Sequence, residues 1–90
     1  MPTPNSSRDA RDFIEKLQHK QAKQVLWKVL DLCRDPEPPD SSLLKNSKEG
    51  YRRADIGEYR IIYRVLDDTL EILLVGKRND DEVYRRFSRK

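Results

Sequence analysis

The apolar period of this chain changes once, and the change fixes the order of its elements. Up to Cys33 apolar residues recur at intervals of three and four: Ala10, Phe13, Ile14 and Leu17, then Ala22, Val25, Leu26, Val29, Leu30 and Cys33. That spacing lines one face of a helix. From Tyr51 onward the period is two, over residues 51–56, 59–66 and 70–75, which is the pattern of strands resting one face on a core. Between the regimes stand Asp35-Pro36 and Pro38-Pro39. Proline removes an amide donor and disfavours the helical region for the residue before it, so no helix continues through them. Helices first and strands afterwards predict an α+β fold, with a helical hairpin packed on a small antiparallel sheet.

Local signals sharpen this outline. Ser6 or Ser7 can cap the first helix, with Asp9 and Asp12 near its positive end, and a short break near His19-Lys20 separates it from the second. Residues 40–50 are polar apart from Leu43-Leu44, which read as a loop anchored to the core. The short turns at Gly57-Glu58 and Asp67-Asp68-Thr69 join the three strands as an antiparallel meander. Alternation places Tyr59, Ile61, Tyr63 and Val65 on one face, expected against the helices, and Arg60, Ile62, Arg64 and Leu66 on the other. Residues 80–89 read as a short basic helix whose Val83 and Phe87 touch the sheet.

The chain has 90 residues, enough for one domain with a thin core. Its net charge of +3 is unevenly distributed. Residues 1–44 carry seven basic and seven acidic side chains, residues 45–90 twelve and nine, so the whole excess lies in the strand half. That asymmetry suits an anionic partner. A single cysteine, Cys33, excludes an internal disulfide and a one-chain thiolate zinc site. No apolar run reaches the roughly 20 residues of a membrane helix, and residues 1–7 lack a signal-peptide core, so a cytoplasmic protein without cofactors is expected.

The residues with chemical promise lie in the strand half. Arg53 and Asp55 point the same way on the first meander strand. If that face is shared with Arg60, and if Arg78 beyond the last strand reaches it, guanidinium groups converge on one sheet surface, joined by Tyr84. Arginine does not ligate metals but matches phosphate geometry, and a late tyrosine offers a stacking face for a base. Metal-free RNA cleavage needs a base for the 2′-hydroxyl, positive charge for the phosphorane and an acid for the leaving oxygen. A guanidinium supplies the second of these best. Each residue also has a plainer reading. Surface arginines usually solubilise, tyrosines usually pack, His19 reads as a surface residue and Cys33 as a small core residue.

Tyr59-Arg60-Ile61-Ile62-Tyr63, Gly76-Lys77-Arg78 and Glu82-Val83-Tyr84, with Ala10-Arg11-Asp12-Phe13 and Asp35-Pro36 before them, resemble the RelE/ParE superfamily of toxin-antitoxin toxins, and within it the RelE branch. The resemblance covers nearly the whole chain. It implies a microbial-ribonuclease-like fold over residues 1–90, cleavage of mRNA in the ribosomal A site by 2′-hydroxyl attack, and a cognate antitoxin that masks the active surface of a monomeric toxin. By motif it assigns Arg53 to the first basic position, Arg60 to phosphate stabilisation, Arg78 to the leaving group and Tyr84 to base stacking. Two departures stand out. Asp55 replaces a second lysine, and is either a weak general base or only an arginine partner. The prolines of residues 1–5 imply that the usual N-terminal strand is short or missing. The competing functions are a ParE-like gyrase poison and a non-catalytic module that binds RNA or antitoxin.

Overall fold

Ser7 ends the first extended segment and starts the first helix, and it ties both to the sheet. In the computed structural model, which describes residues 2–45, 49–78, 85 and 87, the chain order is β1 (Thr3–Ser6), α1 (Arg8–Glu15), α2 (His19–Arg34), β2 (Ser41–Leu43), β3 (Arg52–Ile56), β4 (Tyr59–Leu66) and β5 (Thr69–Lys77). The Ser7 hydroxyl accepts from the Ala10 amide at 3.1 Å, capping α1, and donates to the Leu73 carbonyl at 2.6 Å. Asp9 sits in the first turn of α1, where its charge complements the helix dipole. The break between the helices falls at residues 16–18, earlier than expected, and His19 and Lys20 instead open α2. At the far end Asp35 turns extended before Pro36, and the Tyr63 hydroxyl donates to the Pro36 carbonyl at 2.6 Å, pinning the helix exit to β4.

The sheet has five strands in the order β1-β5-β4-β3-β2. β3, β4 and β5 form the expected antiparallel meander. Two further strands flank the meander. The N-terminal strand is short, at four residues, but not missing: β1 runs parallel to β5 with Thr3 opposite Thr69, which makes the sheet mixed. The loop expected around Leu43 contains β2, paired antiparallel with β3. Only Leu44 of the Leu43-Leu44 pair is buried, because Leu43 lies on the edge strand and is 62% exposed.

Both helices pack on one face of the sheet. Ala10, Val25, Val29, Leu32 and Cys33 meet Ala54, Tyr59, Ile61, Tyr63, Leu70, Ile72 and Val75 there. Leu26 and Leu30, expected on the buried stripe of α2, fall at its margin and are largely exposed beside Trp27. Val65 is also exposed, since it sits with Leu66 at the tip of the β4–β5 hairpin. A bulge makes this face unusually continuous on β5. Ile62 pairs with Leu74 and Tyr63 with Ile72, leaving Leu73 as an extra residue. The side-chain parity of β5 therefore shifts, and Leu70, Ile72 and Val75 all reach the helix side.

The opposite face carries a second, smaller cluster of Leu44, Tyr51, Ile62 and Leu74, with Leu73 and Phe87 packed against it. The Phe87 and Tyr51 rings meet edge to face at 5.4 Å between centroids. Phe87 and Arg85 are helical, as expected for the C-terminal segment, and Phe87 touches the sheet. The rest of the helix expected over residues 80–89, including Val83, lies outside the described residues.

Candidate functional site

A two-residue turn sets the register of the site. Gly57 takes a left-handed φ of 57°, which glycine adopts without strain, and the turn it forms with Glu58 places Ile56 opposite Tyr59. Counting back, Asp55 is opposite Arg60 and Arg53 opposite Ile62. Residues directly opposite on an antiparallel pair project to the same face. Arg53, Asp55 and Arg60 therefore share the face turned away from the helices, as the alternation of β3 required.

Asp55 and Arg60 form a two-point ion pair. Arg60 Nε donates to Asp55 Oδ1 at 2.6 Å and Nη2 to Oδ2 at 3.0 Å, the fork geometry that suits guanidinium and carboxylate. Both side chains are well covered, at 14% and 28% exposure. Across β4 from Asp55, Arg60 also pairs with Gly76 of β5, which adds no side chain beside the guanidinium.

Arg78 reaches the same place from the end of β5. Its amide donates to the Glu58 carbonyl at 3.0 Å and its guanidinium to the Gly57 carbonyl at 3.4 Å, so the β3–β4 turn anchors the residue twice. This turn was not singled out from the sequence as a support for Arg78. Its two-residue length was the available signal, because it fixes which residues stand beside the end of β5. The turn is itself supported from behind, where Gln24 of α2 lies against Gly57: a Cβ on Gly57 would stand 3.2 Å from Gln24 Oε1.

The electrostatics agree with this grouping. The Asp55 carboxyl is held below its ordinary range, first by the hydrogen bond from Arg60 and further by the charges of Arg60, Arg78 and Arg53, while partial burial opposes the shift. Three arginines thus bear on one carboxylate. A carboxylate stabilised in this way is a reluctant proton acceptor, which argues for a partner of Arg60 over a general base.

Beside this cluster lies a second arginine site that sequence reading assigned only to a face. Arg64 Nε donates to Glu71 Oε1 at 2.6 Å, and the guanidinium carbon stands 4.9 Å from the Tyr51 ring centroid. Charge pairing on adjacent strands and the aromatic just before β3 were its signals. Tyr84 lies outside the described residues. His19 is exposed at the start of α2, and Cys33 is buried with its thiol pushed up by desolvation. Among the described residues no group of three or more His, Cys, Asp or Glu could hold a metal ion, and no helix is long and apolar enough to cross a membrane.

Comparison with known proteins locates the fold. The family described as "ParE toxin of type II toxin-antitoxin system, parDE" matches residues 5–82. The toxin-antitoxin complex RelBE2 of Mycobacterium tuberculosis contains a chain 30% identical, matched over 87% of this chain and 100% of that one with a TM-score of 0.73. The archaeal RelE-RelB complex of Pyrococcus horikoshii OT3 is similar at 22% identity, over 88% and 97% of the two chains, with a TM-score of 0.76. The isolated RelE toxin of E. coli matches 99% of this chain and 97% of its own at 19% identity, with a TM-score of 0.75. The last two show likeness of fold alone. No curated protein matches the chain in sequence.

Proposed function

The chain belongs to the ParE toxin family of type II toxin-antitoxin systems, and from that premise we propose that it is a RelE-like endoribonuclease that cuts mRNA in the ribosomal A site. The observation that carries this reading is the sharing of one sheet face, opposite α1 and α2, by Arg53, Asp55 and Arg60, with Arg78 held beside it by the Gly57-Glu58 turn. Guanidinium groups so placed suit the phosphorane that develops when a 2′-hydroxyl attacks the adjacent phosphorus. In that step the P–O2′ bond forms and the P–O5′ bond breaks, the 2′-hydroxyl proton passes to water and the 5′-oxygen takes one from water, leaving a 2′,3′-cyclic phosphate and a 5′-hydroxyl.

Each residue has a proposed part. Arg60 and Arg53 stabilise the non-bridging oxygens. Arg78, held by the turn, offsets charge on the leaving 5′-oxygen. Tyr84 stacks on a base. Asp55, with its proton affinity lowered, pairs with Arg60 and serves poorly as a base, so slow cleavage is expected. A toxin acting on translating ribosomes works in the cytoplasm. Its expected partner is a cognate antitoxin, as in the RelB-RelE complexes that share the fold.

Primer extension on mRNA from a reconstituted translation reaction tests the proposal. Wild-type protein should create new ends inside A-site codons, and Arg78→Ala should reduce them by about 10²–10³, the usual cost of removing one transition-state stabiliser. Intact mRNA in the presence of folded wild-type protein would refute it. A second reading, a gyrase poison, is favoured by the ParE family match itself. Inhibition of gyrase supercoiling by a protein that leaves mRNA intact would establish that reading instead.

A further inference from the structure

We propose that Asp55 is a resident anion on the proposed phosphate-contacting face, occupying the fork of Arg60 that a substrate phosphate would take, so that the site is self-blocked until the pair opens. The inference rests on reading this face as a phosphate-contacting surface and adds how access to it is regulated. The geometry is that of a ligand supplied by the chain. Two carboxylate oxygens meet two guanidinium nitrogens of Arg60 at 2.6 and 3.0 Å, in the same side-by-side arrangement that a phosphate's oxygens adopt on arginine.

The position of the carboxylate makes it more than a surface pair. Asp55 stands directly across the strand pair from Arg60, on the face it shares with Arg53, and the charges of Arg53 and Arg78 also bear on it. Its backbone is fixed in β3 by the register that the Gly57-Glu58 turn imposes, so the carboxylate cannot leave by a strand shift. An incoming phosphate must displace it from Arg60 or bind beside it against repulsion. The alternative role, in which Asp55 only orients Arg60 for substrate, makes the opposite prediction for its removal.

Sulfate, a tetrahedral oxyanion that no step of the chemistry consumes, separates the two roles without ribosomes or mRNA. Its binding to the full chain is followed by isothermal titration and by the arginine Nε–H resonances. Wild-type protein should bind weakly, and Asp55→Asn about tenfold more tightly, the order expected when one like charge is removed beside a partly covered anion site. Asp55→Ala should show the same gain, and adding Arg60→Gln to Asp55→Asn should abolish it. Thermal melting followed by far-ultraviolet circular dichroism verifies that each variant is folded. Equal or weaker binding by folded Asp55 variants, or no binding by any of them, overturns the proposal. Because no nuclease assay enters, the block can fail while mRNA cleavage stands, and the reverse.

Discussion

The two faces of this sheet are built from alternate residues of the same strands, yet they do different work. The helix side is apolar and dry: Ile61, Tyr63, Leu70, Ile72 and Val75 are essentially inaccessible beneath α1 and α2. On the other side one part is apolar, where Phe87 covers Tyr51, Ile62 and Leu74, and the adjoining part is charged, with Arg53, Asp55 and Arg60. Stability is therefore concentrated on one side, and the other can hold like charges close together. A strand with period two allows this separation because no residue has to serve both surfaces.

The comparison breaks most clearly if a helix-side residue proves cheap to lose. Ile61→Ala should destabilise the fold by about 2–5 kcal/mol, the usual range for a buried isoleucine, measured by urea unfolding. A loss below 1 kcal/mol on that scale would mean that the helix face is not the main core. On the opposite face Phe87→Ala should cost less, about 1–2 kcal/mol, because the ring is only half-buried against a smaller cluster. If it costs as much as Ile61→Ala, the C-terminal segment is part of the principal core.

The charged part of the second face sharpens the contrast through pH. The folded-state proton affinity of Asp55 is lowered by Arg60, with Arg78 and Arg53 adding to the effect. A depressed carboxylate contributes stability that is present in full above its unfolded pKa of about 4 and is lost as pH falls through the lower folded value. Unfolding midpoints of wild type and Asp55→Asn should therefore converge below pH 4. Parallel curves across that range would show that the pair adds nothing to folding. Ile61→Ala removes no titrating group and should lower stability at every pH.

Much of this division was legible in the sequence. The meander, its alternation and the capping serine followed from period and turn chemistry, whereas the shared face of Arg53, Asp55 and Arg60 stood as a condition until the β3–β4 register met it. β1 was not legible, because Thr3-Pro4-Asn5-Ser6 has neither alternation nor apolar content, and its extended form comes from pairing with β5. β2 is three residues on an edge, too short to show a period. The bulge at Leu73 left no local mark either, since it is a property of the β4–β5 pairing. Within the site, the arginines were visible as residue types, but the anchoring of Arg78 to the turn depends on where β5 ends.

The parallel pairing of β1 with β5 carries a consequence for synthesis. Thr3 meets Thr69 and the Ser7 hydroxyl meets the Leu73 carbonyl, contacts 66 residues apart. Closing so long a loop is slow compared with forming the β4–β5 hairpin. On a ribosome that adds about 5–20 residues per second, the first strand emerges seconds before its partner and cannot dock until β5 has cleared the exit tunnel. A nascent chain thus has no finished sheet until β5 has emerged, and the order of its strands delays completion of the arginine-bearing face to that point.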